Sequence, residues 1–307
     1  MEPIFLYDTT LRDGTQGENI TFSADEKVKI ALRLDDIGIH YIEGGWPGSN
    51  PKDMQFFDLA KRVNFKKSRL VAFGSTRKPG IKPDEDRNLK ALLASETPTV
   101  TIFGKSWNLH VEEIMANSLE ENLAMIYDSV GFLKSNERET IYDAEHFFDG
   151  YKNNRDYAVE TLLAARKAGA DFIVLCDTNG GTLPFEIDSI FKEVQKLITD
   201  RGDAGSTGVT VKLGVHTHND CGLAVANSIT AVHAGAVMVQ GTINGYGERC
   251  GNADLTSVIP VLDLKMKRPC ISGDNLKKLK TLSRYISETA NQVPLKNRPF
   301  VGKSAFA

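Results

Sequence analysis

The strongest constraint on the fold is a pattern that recurs eight times: a short apolar run followed by a stretch of helical periodicity. The runs fall at 4–7, 39–42, 70–73, 100–103, 140–142, 172–175, 211–215 and 237–239. Continuous apolar runs bounded by turn residues suit strands buried on both faces, and strands alternating with helices imply parallel pairing. Helix-like stretches follow the later runs at 53–62, 84–93, 111–133, 156–168, 185–198, 223–234 and 253–262. The first helix is marked more sharply. Ser23 and Glu26 form a capping box, Val28, Ile30, Leu32, Leu34 and Ile37 supply the apolar positions, and Gly38 supplies the stop. Eight strand-helix units within about 250 residues are the plan of an α/β protein of the TIM (β/α)8 barrel type. The open doubly wound sheet is the alternative, but it would place a Gly-x-Gly-x-x-Gly turn after the first run, and none is there.

With 307 residues and 41% apolar side chains, the chain can bury one large core. The barrel is assigned to 1–268, and 269–307 reads as the start of a short helical linker or C-terminal extension, with helical character over 272–293. A net charge of −3, with lysines and arginines scattered among acids, argues against a nucleic-acid partner. Cys176, Cys221, Cys250 and Cys270 form no C-x-x-C pair, which argues against a disulfide framework or zinc knuckle and fits a reducing cytoplasm. No run approaches a membrane span, and the N-terminus lacks the basic and apolar regions of a signal peptide.

Chemistry concentrates where the seventh run ends. His216 and His218, in Val215-His216-Thr217-His218-Asn219-Asp220, stand two apart on a strand, so both rings face one side and can share one metal ion. Such a pair also occurs as ordinary polar loop residues, so partners decide the matter. The first run leads into Asp8-Thr9-Thr10-Leu11-Arg12-Asp13, and the eighth leads into Gly245-Tyr246-Gly247-Glu248-Arg249-Cys250-Gly251-Asn252. Barrel closure places strand eight beside strand one, so Asp13, His216, His218 and Asn252 can converge at the C-terminal mouth. That mixed N/O set suits Mn²⁺ or Mg²⁺, with Zn²⁺ or Co²⁺ as alternatives, and leaves two positions for a chelating substrate. Cys221 could add a soft ligand, although a buried thiol at a helix start is the expectation.

Three segments together resemble the signatures of the 2-isopropylmalate synthase, homocitrate synthase and citramalate synthase family. They are Leu11-Arg12-Asp13-Gly14-Thr15-Gln16 with Lys27 following, the stretch from Leu213 through His216 and His218 to Gly222, and the Gly-x-Gly-Glu-Arg-x-Gly-Asn segment ending at Asn252. The resemblance runs from Ile4 to about Leu264, and Glu43-Gly44-Gly45-Trp46-Pro47-Gly48-Ser49-Asn50-Pro51 is most similar to the citramalate synthase branch.

The resemblance implies an acyltransferase that joins acetyl-CoA to a 2-oxo acid in branched-chain amino-acid biosynthesis, with pyruvate as the oxo acid, isoleucine as the end product and a homodimer as the assembly. A metal-bound ketone would react as the electrophile. Arg12, permanently charged, would donate to the oxygen where negative charge grows. Glu145 matches an acidic position used at the family's mouth, although a carboxylate opening a helix is a plain alternative. Thr178, in Asp177-Thr178-Asn179-Gly180-Gly181, is placed to bind a substrate carboxylate or to shape a turn. Glu43 is placed to orient Arg12. Phe73 and Phe103 would leave room only for a methyl group if they face the pocket, or fill barrel layers if they do not.

Resembling enzymes continue past the point where Ala307 ends this sequence. There the family supplies a histidine, assisted by a tyrosine, that takes the acetyl proton, followed by a regulatory domain. Within these residues His110 and His146 are the candidates for that base. Three other readings remain open: a hydroxymethylglutaryl-CoA-lyase-like enzyme, a metal-dependent hydrolase, and a non-catalytic barrel that binds a metal and an oxo acid. The hydrolase would carry its His-x-His after strand one, where this chain has Arg12-Asp13.

Overall fold

The structure, a computed structural model, describes residues 3–202 and 211–306. Eight parallel strands close into a barrel in chain order. They are β1 (Phe5–Asp8), β2 (Tyr41–Gly45), β3 (Arg69–Ser75), β4 (Thr99–Lys105), β5 (Glu139–Glu145), β6 (Phe172–Asp177), β7 (Lys212–Thr217) and β8 (Met238–Gly241). Closure is made by β1, which pairs Tyr7 with Tyr41 on one side and Phe5 with Met238 on the other. The open-sheet alternative is thereby excluded.

The helices around the barrel are α1 (Ala24–Ile37), α2 (Pro51–Ala60), α3 (Arg87–Ala94), α4 (Leu119–Ser135), α5 (Phe147–Asn153), α6 (Arg155–Lys167), α7 (Pro184–Gly202), α8 (Ala224–His233) and α9 (Leu255–Pro260). The capping box forms as read, with Ser23 accepting from Glu26 N–H and the Glu26 carboxylate accepting from Ser23 N–H. Gly38 takes the left-handed stop at φ 93°.

Two apolar cores follow from strand alternation. Outward-facing residues such as Leu6, Ile42, Ala72 and Val100 pack with the helices in a large outer layer. Inward-facing Tyr7, Tyr41, Val71, Ile141, Val174, Cys176 and Met238 fill the barrel. Stepping two residues further along the inward face reaches Glu43 from Tyr41, Phe73 from Val71, Asp143 from Ile141, Thr178 from Cys176 and Gln240 from Met238. Polar groups therefore collect at the C-terminal mouth, where the apolar filling stops.

After the barrel come α10 (Gly273–Leu276) and α11 (Leu279–Thr289). Leu279, Leu282 and Ile286 of α11 join the outer core. Arg33 of α1 lies over the Tyr285 ring at 3.8 Å, and Asn244 Nδ2 donates to Ser283 O at 2.9 Å, so the extension is sewn onto α1 and the turn after β8. The expected continuation past Ala307 falls outside the described residues.

Two local expectations are corrected. The helix expected over 111–133 is broken: a π-helical turn at His110–Ile114 ends, Ser118 caps anew by accepting from Glu121 N–H, and α4 begins. Helix α5 was not anticipated, because its N-cap is His146 in a left-handed conformation at φ 55°, and no polar side chain caps it. That helix touches the loop after β4 closely enough that a Cβ at Gly150 would stand 2.3 Å from Ser106 O.

Candidate active site

Asp13 opens a 3-10 turn directly after β1, His216 lies on β7, His218 follows it, and Asn252 pairs back against His218 across an isolated bridge. All four are buried. One ligand atom from each of Asp13, His216 and His218 fits within 4.8 Å of the others, the one such cluster among the described residues. Asp13 Oδ2 accepts from Asn252 Nδ2 at 3.0 Å and lies 3.4 Å from His216 Nε2, while the two histidine Nε2 atoms face each other at 3.2 Å. Asp13 Oδ1 and Asn252 Oδ1 are buried without a hydrogen-bond partner. Orphaned buried oxygens beside two converging imidazole nitrogens are what a cation site leaves when its cation is not counted. The residues present therefore fit a divalent metal held by Asp13, His216 and His218, with Asn252 able to turn its amide oxygen inward.

Backbone geometry holds Asn252 there. A Cβ at Gly247 would lie 2.0 Å from Asn252 Oδ1, so only glycine fits beneath that amide. Arg249, two residues on, donates from Nε and Nη2 to Asp220 at 2.8 and 3.0 Å and from Nη2 to Thr178 O at 2.7 Å. The loop after β8 is thus clamped to the loops after β6 and β7.

Arg12 is fixed on three sides. Its Nε donates to Glu43 Oε1 at 2.6 Å, its Nη1 donates to Gln16 at 3.1 Å, and its guanidinium lies over the Phe73 ring at 3.8 Å. Glu43 is fully buried and also accepts from Thr9 Oγ1 and Tyr7 Oη. Burial works against both charges of the Arg12–Asp13 pair, yet Arg12 and the two imidazoles bring Asp13 down to about 2. Burial and the neighbouring His216 push His218 down to about 3, so its ring is neutral and offers a lone pair.

A cavity of about 170 Å³ opens beside these groups, and its lining includes Arg12, Asp13, Glu145, Thr178, His216 and His218. Its apolar wall is aromatic. Phe73 and Phe103 stack at 5.4 Å, and Trp46 sets its edge against both at 5.8 and 5.5 Å. Phe73 and Phe103 thus face the pocket, on the same parity as the barrel filling. Glu145 lines the cavity and pairs with Lys105. Thr178 Oγ1 accepts from His146 N–H at 2.9 Å, which leaves its own proton to donate.

Other expectations fare differently. His110 and His146 stack edge to face at 4.4 Å on the rim and do not line the cavity. Cys221 is exposed in the turn before α8 rather than buried, and it lies outside the ligand cluster. Five lining groups were not singled out from the sequence: Gln16, Trp46, Asp143, Cys176 and Glu248. Asp143 was recoverable from its place two residues after the apolar Ile141. Trp46 is held by donating from Nε1 to Asn88 Oδ1 at 2.6 Å, a contact between segments 42 residues apart that no local pattern reveals.

The fold and site define a class: a (β/α)8 barrel with an Asp-His-His ligand trio at its C-terminal mouth and an adjacent aromatic-walled pocket. More narrowly, the chain belongs to the HMGL-like family, whose profile matches residues 3–286. It is 58% identical over its whole length to an (R)-citramalate synthase of Geobacter sulfurreducens and 55% identical to one of Aquifex aeolicus, covering 56% of each relative. A 2-isopropylmalate synthase of Brevibacillus brevis is 34% identical, with 57% of that protein covered. The chain thus spans somewhat over half the length of the curated relatives it matches. Among solved structures it resembles a hydroxymethylglutaryl-CoA lyase of Pseudomonas aeruginosa at TM-score 0.76 and 16% identity, covering 99% of this chain and 96% of that one; this likeness is one of fold.

Proposed function

We propose that this barrel condenses acetyl-CoA with pyruvate to give citramalate and CoA, as a step toward isoleucine in the cytoplasm. The observation that carries the proposal is the aromatic wall of Trp46, Phe73 and Phe103 standing in the same small cavity as Asp13, His216 and His218. Identity of 46–58% to five (R)-citramalate synthases supports it. Residues 1–268 form the catalytic unit and 269–307 begin a helical linker, in a protein that works as a homodimer.

Asp13, His216, His218 and Asn252 would hold a divalent metal, Mn²⁺ or Mg²⁺ in the first instance, which would supply Lewis acidity toward the 2-oxo acid. Thr178 donates its hydroxyl proton to the substrate carboxylate. Rings at Phe73 and Phe103 admit a methyl group and resist a branched chain. Arg12 donates to the oxygen on which negative charge accumulates, and Glu43 holds it there against rotation. Glu145, paired with Lys105 at the edge of the cavity, is the acidic group placed beside the reacting centre. The acetyl methyl gives up a proton to a base, its carbon bonds to the ketone carbon while the ketone oxygen takes a proton and becomes a hydroxyl, and water adds to the thioester carbonyl, leaving a carboxyl group and releasing CoA as the free thiol.

The test is CoA release by the full-length enzyme from acetyl-CoA with pyruvate, 2-oxobutyrate, 2-oxoisovalerate and 2-oxoglutarate. Each extra methylene is expected to cost roughly 10–200-fold in kcat/KM. Release that is faster with 2-oxoisovalerate than with pyruvate overturns the substrate assignment, and release with none of the four overturns the synthase reading. Phe103→Ala should narrow the gap between pyruvate and 2-oxobutyrate.

A further inference from the structure

Behind the ligand trio lies a buried chain of polar contacts that the proposed reaction does not use. His216 Nδ1 is 2.8 Å from Gln240 Oε1, and Gln240 Nε2 donates to Asp143 Oδ1 at 2.9 Å. All three residues are at most 5% exposed, and Gln240, at 1% and outside the cavity lining, finds its amide partners within the protein. The barrel makes this contact possible: β7 and β8 pair His216 with Gln240 in register, and Asp143 on β5 reaches across the interior.

The direction of each hydrogen bond follows from chemistry. In the structure Asp143 Oδ1 accepts from the Gln240 NH₂, a role open to an ionised carboxylate and to the carbonyl oxygen of a neutral carboxyl alike. Its carbonyl oxygen then faces His216 and can only accept. His216 must therefore carry its proton on Nδ1, which leaves Nε2 with a lone pair aimed at Asp13 and His218. An amide alone could turn over and present NH₂ to the ring, which would move the ring proton to Nε2 and close the ligand atom. Asp143, by accepting from the NH₂, opposes that rotation.

We propose that Gln240 and Asp143 are positioning residues: Gln240 sets the His216 tautomer and Asp143 sets the orientation of the Gln240 amide, so that His216 Nε2 is prepared to ligate. The inference rests on the reading that Asp13, His216 and His218 hold a divalent ion, and extends it to the residues that prepare one of the ligands. Partners behind a ligating histidine typically matter 10–100-fold in metal affinity.

The test uses the full-length protein and two readouts. The first is the His216 ring ¹⁵N spectrum of the metal-free protein, in which the wild type should show the Nδ1–H tautomer. The second is the Mn²⁺ dissociation constant from calorimetry. Gln240→Leu should lose the single tautomer and weaken Mn²⁺ binding about 10–100-fold. Asp143→Leu should do the same while leaving Gln240 in place. Gln240→Glu with Asp143→Asn reverses the pair: the new amide donates, the new carboxylate accepts from both neighbours, and both readouts should return to near wild type. A purely packing role predicts the opposite, namely lowered thermal stability in Gln240→Leu with an unchanged tautomer and Mn²⁺ affinity, and no rescue by the reversed pair. If the wild type binds no Mn²⁺, the ligand-set reading fails and the tautomer spectra alone decide the positioning role. A wild-type His216 carrying its proton on Nε2 overturns it.

Discussion

Lys27 carries the prediction that bears most directly on how the pocket is held. It is 3% exposed, and its Nζ donates to Asp53 Oδ1 at 2.5 Å and to Gly44 O at 3.0 Å. The other oxygen of Asp53 accepts from Trp46 N–H at 2.9 Å. One buried ammonium therefore ties α1 to the end of β2 and the start of α2, and the tie ends on a residue of the aromatic wall. Burial outweighs Asp53 and lowers the Lys27 pKa, so the ion pair does not fully offset its own desolvation. Lys27→Met strands the Asp53 carboxylate in a site 8% exposed, which typically costs about 3–5 kcal/mol. Gly44 O loses its donor as well, adding roughly 1 kcal/mol, and a total near the upper end, about 4–5 kcal/mol, is expected. Adding Asp53→Asn removes the stranded charge but keeps an acceptor for Trp46 N–H, so the double variant should lie within about 2 kcal/mol of wild type. Urea unfolding of wild type, both singles and the double, followed by far-UV circular dichroism, measures all four corners. A loss under about 1 kcal/mol for Lys27→Met, or a double variant no more stable than that single, would refute the argument. In the same series the KM for pyruvate should rise in Lys27→Met and recover in the double, because Trp46 moves with Asp53.

Three further outcomes are expected. Asp8 is fully buried, and burial pushes its carboxyl up to about 7. The folded state therefore holds a proton that the unfolded chain has released between about pH 4 and pH 7, and this group's contribution must fall as pH rises through that window. Asp8→Asn should flatten the decline in unfolding free energy by roughly 3–4 kcal/mol between pH 4.5 and 8, measured by urea titration at each pH, and an unchanged slope would contradict the assignment. With Mn²⁺ at 100 times its dissociation constant, stability should rise by about 2.7 kcal/mol over chelator-treated protein, a gain seen by calorimetry that Asp13→Ala should abolish. Gly247→Ala should displace the Asn252 amide and weaken Mn²⁺ binding while leaving the far-UV spectrum intact; an unchanged dissociation constant would remove Asn252 from the ligand set.

The barrel was legible because parallel strands covered on both faces must be apolar on both faces, and such runs stand out from amphipathic helices. What the runs concealed was their own ends. The run at 39–42 belongs to a strand that continues to Gly45 through Glu43, and the run at 140–142 to one that continues to Glu145 through Asp143. Strands reach the mouth by turning polar on the inward face, so a reading keyed to apolarity stops where function starts. Asp13, His216, His218 and Asn252 were recoverable because barrel closure alone brings the strand-one, strand-seven and strand-eight loops together. The Gln240–Asp143 contact was not, since it crosses the barrel from β8 to β5 and depends on inward parity at both ends. Helix α5 escaped for a local reason: its start is set by a left-handed His146 and by close approach to Ser106, neither of which leaves a capping pattern in the sequence.

Charge at the mouth suits the proposed cation at the trio and the proposed anion beside it. One guanidinium, Arg12, faces two carboxylates, with Glu43 at 2.6 Å and Asp13 at 3.5 Å, and it cannot neutralise both. The imidazole of His218 stays unprotonated, and burial together with Glu43 raises Asp143 well above the usual carboxylate range. What remains at the convergence point is a net negative charge with lone pairs directed inward, against a background in which burial weakens screening. A divalent ion there would reverse the local sign. The carboxylate of an oxo acid would then meet a positive field from the ion and Arg12 on one side and the Thr178 hydroxyl on another, with Phe73 and Phe103 left to contact only its methyl end. Binding order follows from this arithmetic: oxo-acid affinity should depend steeply on metal concentration, whereas metal affinity should be measurable in the absence of any oxo acid.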